Sequence, residues 1–466
     1  MNPKQALDKA IKVAVVGHTN SGKTSLLRTL LRDSEFGEVS DSAGTTRHVE
    51  GGAVLLDGEA ALALYDTPGL EDSIGLLEAV EGSDSTVPAK GHQLLTSFIS
   101  RAEQHPDFEQ EVKVLRQLLA DDLLFYVIDV REPVLGKYRD EMTLLSYAAK
   151  PIIPVLNFIA SERARTAQWR EILAQYNLHA QVDFDTVVFR FDDEQRLLRK
   201  MQSLLPARHD QLEALLQQRQ FEWRRLRQLA ADCCAELLLD CAAYSQYTTP
   251  DAAALEAAQQ QLQQRLRNIE KRAQREVLAV FGFDRDDVRL RALPVKDGVW
   301  QADLFDASLL KNLGIDVGGG LAKGAAVGAS LDVFTGGLSL GTATAVGAIA
   351  GALWSTRDRV GRRLSAVLNR EHRICADDST LAVLWHRQRA LLYTVQSRGH
   401  ASTTTTELAP QPAAAQMPKD FSKWLKRIRA NPHWSVLVQE DGDRSKEREA
   451  LLREISAELL LSLGES

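Results

Sequence analysis

The sequence has few cysteines, and none of them is spaced for a metal site. The four cysteines among 466 residues are Cys233, Cys234, Cys241 and Cys375, and they form no pair of the kind that holds structural zinc. Three of the four fall in one helical pattern, which predicts reduced thiols buried in a core and a reducing cytoplasm.

The chain also lacks an excess of positive charge and an apolar segment close to Met1. Its 56 Lys and Arg residues against 63 Asp and Glu give a formal net charge of −7, which gives no support to bulk binding of nucleic acid. No apolar signal region precedes the first strand pattern, so we expect no cleaved secretory signal and a cytoplasmic protein. A composition of 44% apolar and 26% charged residues is that of a globular protein, and the length predicts two or three domains.

What the sequence does contain is a complete phosphate-binding loop. Residues 17–24 read Gly-His-Thr-Asn-Ser-Gly-Lys-Thr, which fits the pattern G-x-x-x-x-G-K-[ST]. A buried-strand pattern precedes the loop at 11–16, and a helical pattern follows it at 24–32. In that context backbone N–H groups and a helix N-terminus converge on a phosphate, so we predict nucleotide binding.

A second motif follows another apolar stretch. Asp66-Thr67-Pro68-Gly69 is a D-x-x-G arrangement, in which the Asp holds Mg²⁺ through water and the Gly amide can sense a γ-phosphate. Between the two motifs lies a threonine pair, Thr45 and Thr46, suited to closing over the ion. Further buried-strand patterns at 123–127 and 152–156 predict an α/β fold of the P-loop NTPase type, a doubly wound sheet with its ligand at the carboxyl ends of the strands.

These motifs together carry a resemblance. Residues of roughly 10 to 190 resemble the G domain of the Era/TrmE branch of bacterial GTPases, through Asn20, the G-T-T-R segment at 44–47 and D-T-P-G. The resemblance implies a Mg²⁺-dependent GTPase switch of slow intrinsic rate, in which Asn20 can ligate a K⁺ ion that replaces an arginine finger. Leu70 stands where a water-positioning Gln would follow D-x-x-G, so a cation, another switch residue or a partner must organise the water.

The chemistry of phosphoryl transfer assigns roles to individual residues. Lys23 neutralises the β- and γ-phosphates, Thr24 ligates Mg²⁺, and Asp66 holds the ion through water. Either Thr45 or Thr46 completes the Mg²⁺ shell, with Thr46 preferred; Lys23, Asn20 and Thr46 are the expected catalytic residues. The full set expected to bind nucleotide is Gly17, Asn20, Ser21, Gly22, Lys23, Thr24, Ser25, Thr45, Thr46, Asp66, Gly69 and Asn157.

The guanine-reading motif N-K-x-D is missing. After the strand at 152–156 the chain reads Asn157-Phe158-Ile159-Ala160, so the carboxylate that accepts from guanine N1 and N2 is replaced by a methyl group. The next strand is predicted over 186–191, without a clear Ser-Ala pair. Guanine preference therefore rests on the resemblance, and the alternative is a nucleotide-binding scaffold of relaxed base specificity with negligible hydrolysis.

The C-terminal half is predicted to be mostly helical. Residues 204–280 carry helical spacing of apolar residues, and their arginines are interleaved with Glu and Gln as on a solvated face. The stretch 76–119 has two open interpretations, a partner-sensing insert on the switch side or extra helical packing.

A glycine-rich segment at 314–356 is predicted to form a helical hairpin that turns from Asp332 onward. Glycines at 320, 324 and 328 give small-residue spacing, and no charge occurs from 333 to 356, a length that can cross a bilayer. The run has few large apolar residues, and Asp332 would be costly in lipid. Two interpretations of this segment stay open. Either it contacts a membrane or a membrane protein, with the chain peripheral to the inner membrane, or it is a hairpin buried within the protein.

We predict domains at 1–200 (G domain), 201–398 (helical domain), 399–420 (low-complexity linker) and 421–466 (amphipathic helices). The helix starting at Phe421 is basic and amphipathic, so it can lie on an anionic membrane or dock on the protein itself. The whole chain resembles a bacterial family in which an Era-like GTPase domain is fused to a C-terminal domain of unknown function. RNA binding, as in Era and TrmE, is not supported by any basic patch.

Overall fold

A computed structural model describes most of the chain. The described residues are 9–33, 36, 50–70, 72–82, 91–186, 190–282, 295–296, 299–300, 330–332, 372–396, 417–438 and 445–464. They form two compact units, one from the described residues up to 225 together with Gln396, and one from those of 226–395 and 407–464. Among the helices of these ranges, none combines the length and the apolar character that a membrane span requires.

The first unit is built on a six-stranded sheet. Its strands are β1 (Ile11–Val16), β2 (Glu50–Leu56), β3 (Glu59–Asp66), β4 (Leu123–Asp129), β5 (Ile152–Asn157) and β6 (Val182–Asp183). Their spatial order is β2-β3-β1-β4-β5-β6; β2 is antiparallel to β3, and the other neighbours are parallel. The predicted α/β class is confirmed.

Helices cover both faces of this sheet. They are α1 (Lys23–Leu31), α2 (Ser73–Gly82), α3 (Gly91–Ser100), α4 (Glu109–Ala120), α5 (Gly136–Tyr147), α6 (Thr166–Gln175) and α7 (Phe191–Leu204). Alternate residues of β1 serve the two faces: Val13 and Val15 pack with α1 and α7, whereas Ala14 and Val16 pack with α2 to α6. The two-residue period of a strand accounts for this division.

The described residues of the stretch 76–119 form helical packing. Leu76 and Val80 of α2, with Leu95 and Phe98 of α3, are buried in the same core cluster as the apolar face of α5. This is the second of the two interpretations of that stretch. A role in sensing a partner stays a prediction.

The strand predicted over 186–191 is contradicted at Phe191, and its central residues lie outside the described part of the chain. The last strand of the sheet is β6 at Val182–Asp183, and Phe191 begins α7. Phe191 stacks on Trp223 with ring centroids 5.4 Å apart, and Leu197, Leu198 and Met201 continue its buried face. This helical spacing of apolar residues accounts for a helix from Phe191 onward; residues 187–189 lie outside the described part of the chain.

The second unit is mostly helical, as predicted. A long helix, α8 (His209–Ala243), begins in the first unit and continues into the second. It is followed by α9 (Ala252–Val280), α10 (Asp378–Gln396), α11 (Phe421–Arg429) and α12 (Lys446–Ser462). The described strands are β7 (Ser245–Thr248), β8 (Val295–Lys296), β9 (Val299–Trp300), β10 (Ser330–Asp332) and β11 (His372–Cys375). Of these, β10, β11 and β7 form an antiparallel sheet.

Only a small part of the glycine-rich segment is described. Within 314–356 the structure places residues 330–332 in β10, paired with β11, and the rest of the predicted helical hairpin lies outside the described residues. Asp332 is thus in a strand.

The basic helix α11 is docked on its own unit. Its apolar residues Phe421, Trp424, Leu425 and Ile428 are buried, and Trp424 lies 6.1 Å from Trp385 of α10 between ring centroids. Of the two interpretations of this helix, the structure shows docking.

The cysteines are not joined in disulfides, which agrees with the predicted reduced thiols. Cys234, Cys241 and Cys375 are buried and Cys233 is partly buried. Burial raises the pKa of the Cys233 thiol to about 11, and it raises the pKa values of Cys234 and Cys241 well above their usual range. Cys233, Cys234 and Cys241 therefore lack the lowered pKa of a reactive thiolate.

Candidate functional site

The phosphate loop follows β1 and leads into α1, and its two glycines are required by close contacts. Gly17 has φ +148°, and a Cβ there would lie 2.3 Å from the Val127 carbonyl oxygen of β4. Gly22 has φ +94°, and a Cβ there would lie 2.2 Å from Nδ2 of Asn157. The spacing of glycines in the motif thus lets neighbouring strands approach the loop backbone.

Lys23 is held at the loop by the loop's own carbonyl groups. Its Nζ donates to the oxygens of Gly17 at 3.1 Å and of His18 at 3.0 Å, and the side chain is buried. Gly22 is the N-cap of α1, so the amides of the first helical turn directly follow the loop. An ammonium group and helix amides are therefore gathered at one place, as phosphate binding requires.

Two side chains with oxygen atoms, those of Thr24 and Asp66, contact each other where α1 begins and β3 ends. The Thr24 hydroxyl donates to Oδ2 of Asp66 at 2.5 Å, and Asp66 is only 1% exposed. The next residue, Thr67, donates from Oγ1 to the Val15 carbonyl oxygen at 2.9 Å and so fixes the end of β3 against β1. Hydroxyl and carboxylate oxygens are ligands that suit Mg²⁺, so Thr24 and Asp66 fit the predicted ion.

The other predicted residues fall around this centre to different degrees. Asn20 is exposed on the loop with φ +63°, Ser21 is buried, and Ser25 lies in the first turn of α1. Gly69 lies against the loop, since a Cβ on it would be 2.8 Å from the Thr19 nitrogen. Thr45 and Thr46 lie outside the described residues.

Asn157 ends β5 as a fully buried connector. Its Nδ2 donates to the Ser21 carbonyl oxygen at 3.0 Å, and its Oδ1 accepts from N and Oγ1 of Thr186 at 3.0 and 3.1 Å. The predicted site residue Asn157 is therefore brought to the phosphate loop.

The residues that replace the guanine-reading motif make contacts of their own. The Phe158 ring lies beside Gly22, and the Arg131 guanidinium stacks over the ring at 3.8 Å from its centroid. Arg131 also forms an ion pair with Asp129 at 2.7 Å; hydrogen bonding to this carboxylate raises the pKa of the guanidinium. Ala160 donates its N–H to Oδ2 of Asp185 at 3.0 Å, which brings a carboxylate to the backbone of position 160.

Sequence reasoning missed a polar network on the phosphate loop. His18 Nδ1 lies 3.1 Å from Glu141 Oε1 and 3.2 Å from the Leu70 carbonyl oxygen, and its Nε2 lies 2.7 Å from Lys137 Nζ. Glu141 is fully buried and accepts from the Tyr126 hydroxyl at 2.8 Å; burial and this carboxylate raise the pKa of Tyr126 well above its usual range. A single sequence does not indicate that a Glu on an amphipathic helix will be buried. The His within the phosphate loop, in contrast, could have been recognised as a candidate site residue from its position in the motif.

A polar cavity of about 230 Å³ adjoins the loop. It is lined on one side by loop residues, among them Thr19 and Asn20, and on the other by residues of β4 and α5, among them Asp129 and Lys137. The phosphate loop thus borders a cavity that is lined in part by the charged residues Asp129 and Lys137.

Comparison with known proteins gives matches to both parts of the chain. Residues 12–158 match the family described as 50S ribosome-binding GTPase, and residues 170–457 match the domain of unknown function DUF3482. Among curated proteins, the tRNA modification GTPase MnmE of Acholeplasma laidlawii is 42% identical over 76 residues, 16% of each chain. GTPase Der of Nautilia profundicola is 36% identical over 109 residues, 23% of each chain. The chain therefore spans less than a quarter of the length of these two relatives.

Solved structures of Era are also similar to parts of this chain. Aquifex aeolicus Era bound to GDP.AlF4- has 21% sequence identity and a TM-score of 0.29, and the match covers 59% of this chain and 90% of that one. Era in complex with MgGDPNP and a segment of 16S ribosomal RNA gives 22% identity and a TM-score of 0.30, with the same coverage.

The two family matches agree with the resemblance that the motifs carry. The GTPase match spans β1 to β5 with the phosphate loop and D-x-x-G, and the DUF3482 match begins within α6 and covers more than half of the 466 residues. The chain therefore belongs to the DUF3482 family and carries an Era/TrmE-like GTPase domain ahead of that region.

Proposed function

We propose that the GTPase domain binds GTP with Mg²⁺ and hydrolyses it slowly, and that the bound nucleotide acts as a switch on the DUF3482 region. The observation that carries this proposal is the convergence of three side chains at the loop. Lys23 Nζ, Thr24 Oγ1 and Asp66 Oδ2 are all held by hydrogen bonds where β1, α1 and β3 meet. This set supplies one cation for the phosphates and two oxygens for a hard metal ion.

The roles of these groups follow from phosphoryl-transfer chemistry. Lys23 offsets charge on the β- and γ-phosphates, and Thr24 and Asp66 hold the ion. Mg²⁺, when bound, neutralises the charge that develops between the transferred and leaving phosphoryl oxygens. Gly69, which already lies against Thr19, offers its amide to the γ-phosphate. Thr45 or Thr46, with Thr46 preferred, is proposed to complete the Mg²⁺ shell.

The attacking water needs an organiser other than residue 70. Leu70 is 1% exposed, so its side chain belongs to the core and cannot orient a water molecule at the phosphates. Asn20 is exposed on the loop, which supports a K⁺ ion held by its side chain as the compensating cation. Turnover is therefore expected to depend on potassium.

Guanine preference is part of the proposal and is supported by the match of residues 12–158 to a GTPase family. The Phe158 ring offers an aromatic face on which a base can stack, and Asn157 keeps the strand end against the loop. No side chain at Ala160 reads the base.

A second candidate function is a nucleotide-binding scaffold of relaxed base specificity with negligible hydrolysis. Two observations favour it: position 160 carries a methyl group, and Leu70 is buried. In this case the nucleotide would stabilise the domain without being consumed, and turnover would be negligible in potassium and in sodium alike.

Contact of the second unit with a membrane or a partner rests on the glycine spacing and the uncharged run within 314–356. Because the apolar face of α11 is buried within the protein, this helix does not support membrane contact. The proposal of a peripheral position at the inner membrane therefore depends on the segment 314–356. RNA is bound by Era in one of the two similar structures; for this chain the net charge of −7 supports no such partner. Flotation of the purified protein with anionic vesicles, with and without nucleotide, would test the membrane part.

The test of the main proposal is GTP turnover by the full chain with Mg²⁺ in potassium and in sodium. We expect turnover in potassium that is lost in Lys23→Ala and reduced at least 10-fold in Asn20→Ala, as for an essential cation site. Lys150→Ala, which removes a lysine next to the amino-terminal end of β5, is the matched control and should keep wild-type turnover. Binding without turnover in either salt would favour the scaffold, and normal affinity in Lys23→Ala would overturn the site assignment.

A further inference from the structure

The imidazole of His18 has both ring nitrogens engaged, and its partners determine where the proton lies. Nδ1 faces two acceptors, the Leu70 carbonyl oxygen at 3.2 Å and Glu141 Oε1 at 3.1 Å, so Nδ1 carries a hydrogen. Nε2 faces the Lys137 ammonium group at 2.7 Å, which can only donate. His18 therefore donates toward Leu70 and Glu141 and accepts from Lys137.

The orientation of the His18 ring is fixed by Glu141 and Tyr138. Glu141 is fully buried, and its second oxygen accepts from the Tyr126 hydroxyl at 2.8 Å. The Tyr138 ring packs edge-on against the imidazole with centroids 5.5 Å apart. A carboxylate held by two donors and an aromatic wall leave the imidazole little rotational freedom.

The group that His18 holds lies in the segment that senses the γ-phosphate. Leu70 directly follows the D-x-x-G motif, and its side chain is anchored in the core, while its carbonyl group accepts from His18. Gly69 lies against the loop, with its Cβ position 2.8 Å from the Thr19 nitrogen. The Gly69–Leu70 backbone is thus held between the core, the imidazole and the loop.

We propose that His18 is a positioning residue for the γ-phosphate contact. By holding the Leu70 carbonyl group it fixes the backbone that presents the Gly69 amide, so that this amide is already placed when a nucleoside triphosphate binds. This inference rests on the proposed function, and it adds a residue that the phosphate-loop pattern leaves unspecified. A preorganised donor loses less entropy on binding and stabilises charge more effectively than a mobile one.

The consequence is a difference between triphosphate and diphosphate. Of the phosphate groups, the Gly69 amide is predicted to contact only the γ-phosphate. Loss of the His18 contact should therefore lower the affinity for a nucleoside triphosphate and leave the affinity for a diphosphate nearly unchanged. A merely structural role for His18 would instead weaken both ligands equally, since Gly17, Gly22 and Lys23 serve both.

The experiment measures dissociation constants of GDPNP and GDP for the full chain with Mg²⁺ and potassium. The quantity of interest is their ratio within each variant, because this ratio does not depend on the fraction of folded protein. In His18→Ala we expect GDPNP to bind about 10-fold more weakly relative to GDP, with GTP turnover lowered by a similar factor.

Two further variants distinguish the contribution of Nδ1 from that of Nε2. An Asn amide reaches approximately the place of Nδ1, so His18→Asn should restore the donor to Leu70 and return the ratio to within about 3-fold of wild type. A Gln amide reaches toward the place of Nε2 and Lys137, so His18→Gln should behave like His18→Ala. An unchanged ratio in His18→Ala, or equal ratios in the Asn and Gln variants, would overturn the inference.

Failure of the proposed function would look different. If wild-type protein bound neither GDP nor GDPNP, the nucleotide assignment itself would fail. If wild type bound both, and Lys23→Ala lost both, while the ratio in His18→Ala stayed at the wild-type value, only the positioning role would fail.

Discussion

The side-chain amide of Asn157 donates a hydrogen bond to the Ser21 carbonyl oxygen at 3.0 Å, and this contact joins the end of β5 to the phosphate loop. The same side chain accepts from the backbone and hydroxyl of Thr186. Asn157 thus connects three loops of the site, although the Lys and Asp of the guanine-reading motif are replaced. The structure gives a reason to keep this Asn whichever base is bound.

We predict that Asn157→Ala destabilises the GTPase domain. The change leaves the Ser21 carbonyl and the Thr186 N–H without this partner in a buried place, and each such loss costs about 1–3 kcal/mol. Hydrogen exchange of the β1 and β5 amides in the full chain should accelerate by at least 10-fold, and nucleotide affinity should fall. Unchanged exchange in both strands would show that the contact does not contribute to stability.

Gly22→Ala should abolish nucleotide binding. The new Cβ would lie 2.2 Å from Asn157 Nδ2, and φ of +94° at this position is strained for any residue with a Cβ, at a cost of about 1–3 kcal/mol before the clash is relieved. Gly82→Ala at the end of α2 is the matched control, because its Cβ would meet nothing within 4 Å. Isothermal titration with GDP should show no binding to the first variant and normal binding to the second; normal affinity in both would contradict the loop geometry.

Trp424→Ala tests the docking of α11. Trp424 is buried against Trp385, and truncating a buried Trp costs about 3–5 kcal/mol. The melting temperature of the full chain should fall, whereas Lys423→Ala, which changes an exposed residue of the same helix, should leave it within about 1 °C. If instead Trp424→Ala kept its melting temperature and lost binding to anionic vesicles, the helix would function at a membrane.

The second unit should lose stability as the pH rises from about 4 to about 7, because of Asp240. Burial raises the pKa of this carboxyl from 3.8 to about 7, although Val436 donates its N–H to Oδ1. Between pH 3.8 and 7 the folded state therefore binds more protons than the unfolded state, so the contribution of Asp240 to stability falls with rising pH.

The variant that checks this contribution is Asp240→Asn, which keeps the acceptor for Val436 and removes the charge. It should be more stable than wild type at pH 8 by on the order of 2–4 kcal/mol, at 1.36 kcal/mol per pKa unit, and equal to it near pH 4. Asp210→Asn removes an exposed carboxylate from the same helix and should leave the pH dependence unchanged. Melting curves from pH 4 to 8 give the comparison, and parallel profiles for wild type and Asp240→Asn would contradict it.

Much of the GTPase domain could be predicted because its signals are local. The loop at 17–24 and the apolar strand patterns place Lys23, Thr24 and Asp66 at the carboxyl ends of neighbouring parallel strands, and the structure brings them together there. The placement of β6 could not be predicted, because a two-residue strand has no period and the run after it competes with the helical face that starts at Phe191.

The His18 network could not be predicted for a different reason. Leu70 lies 52 positions after His18 in the sequence, and Glu141 lies 123 positions after it. Only the folding of the chain, with α5 packed near the loop, brings these residues into contact. In the second unit, the amphipathic pattern of α11 was clear, but the pattern alone does not say whether a membrane or Trp385 covers its apolar face.

The most direct test of the central claim is equilibrium binding of GTP, ATP and XTP to the full chain with Mg²⁺ in potassium. A G domain that retains guanine recognition despite Ala160 should bind GTP at least 10-fold more tightly than ATP or XTP. Equal affinity for the three nucleotides, or no binding of any of them, would contradict the assignment of this domain as a guanine-specific switch.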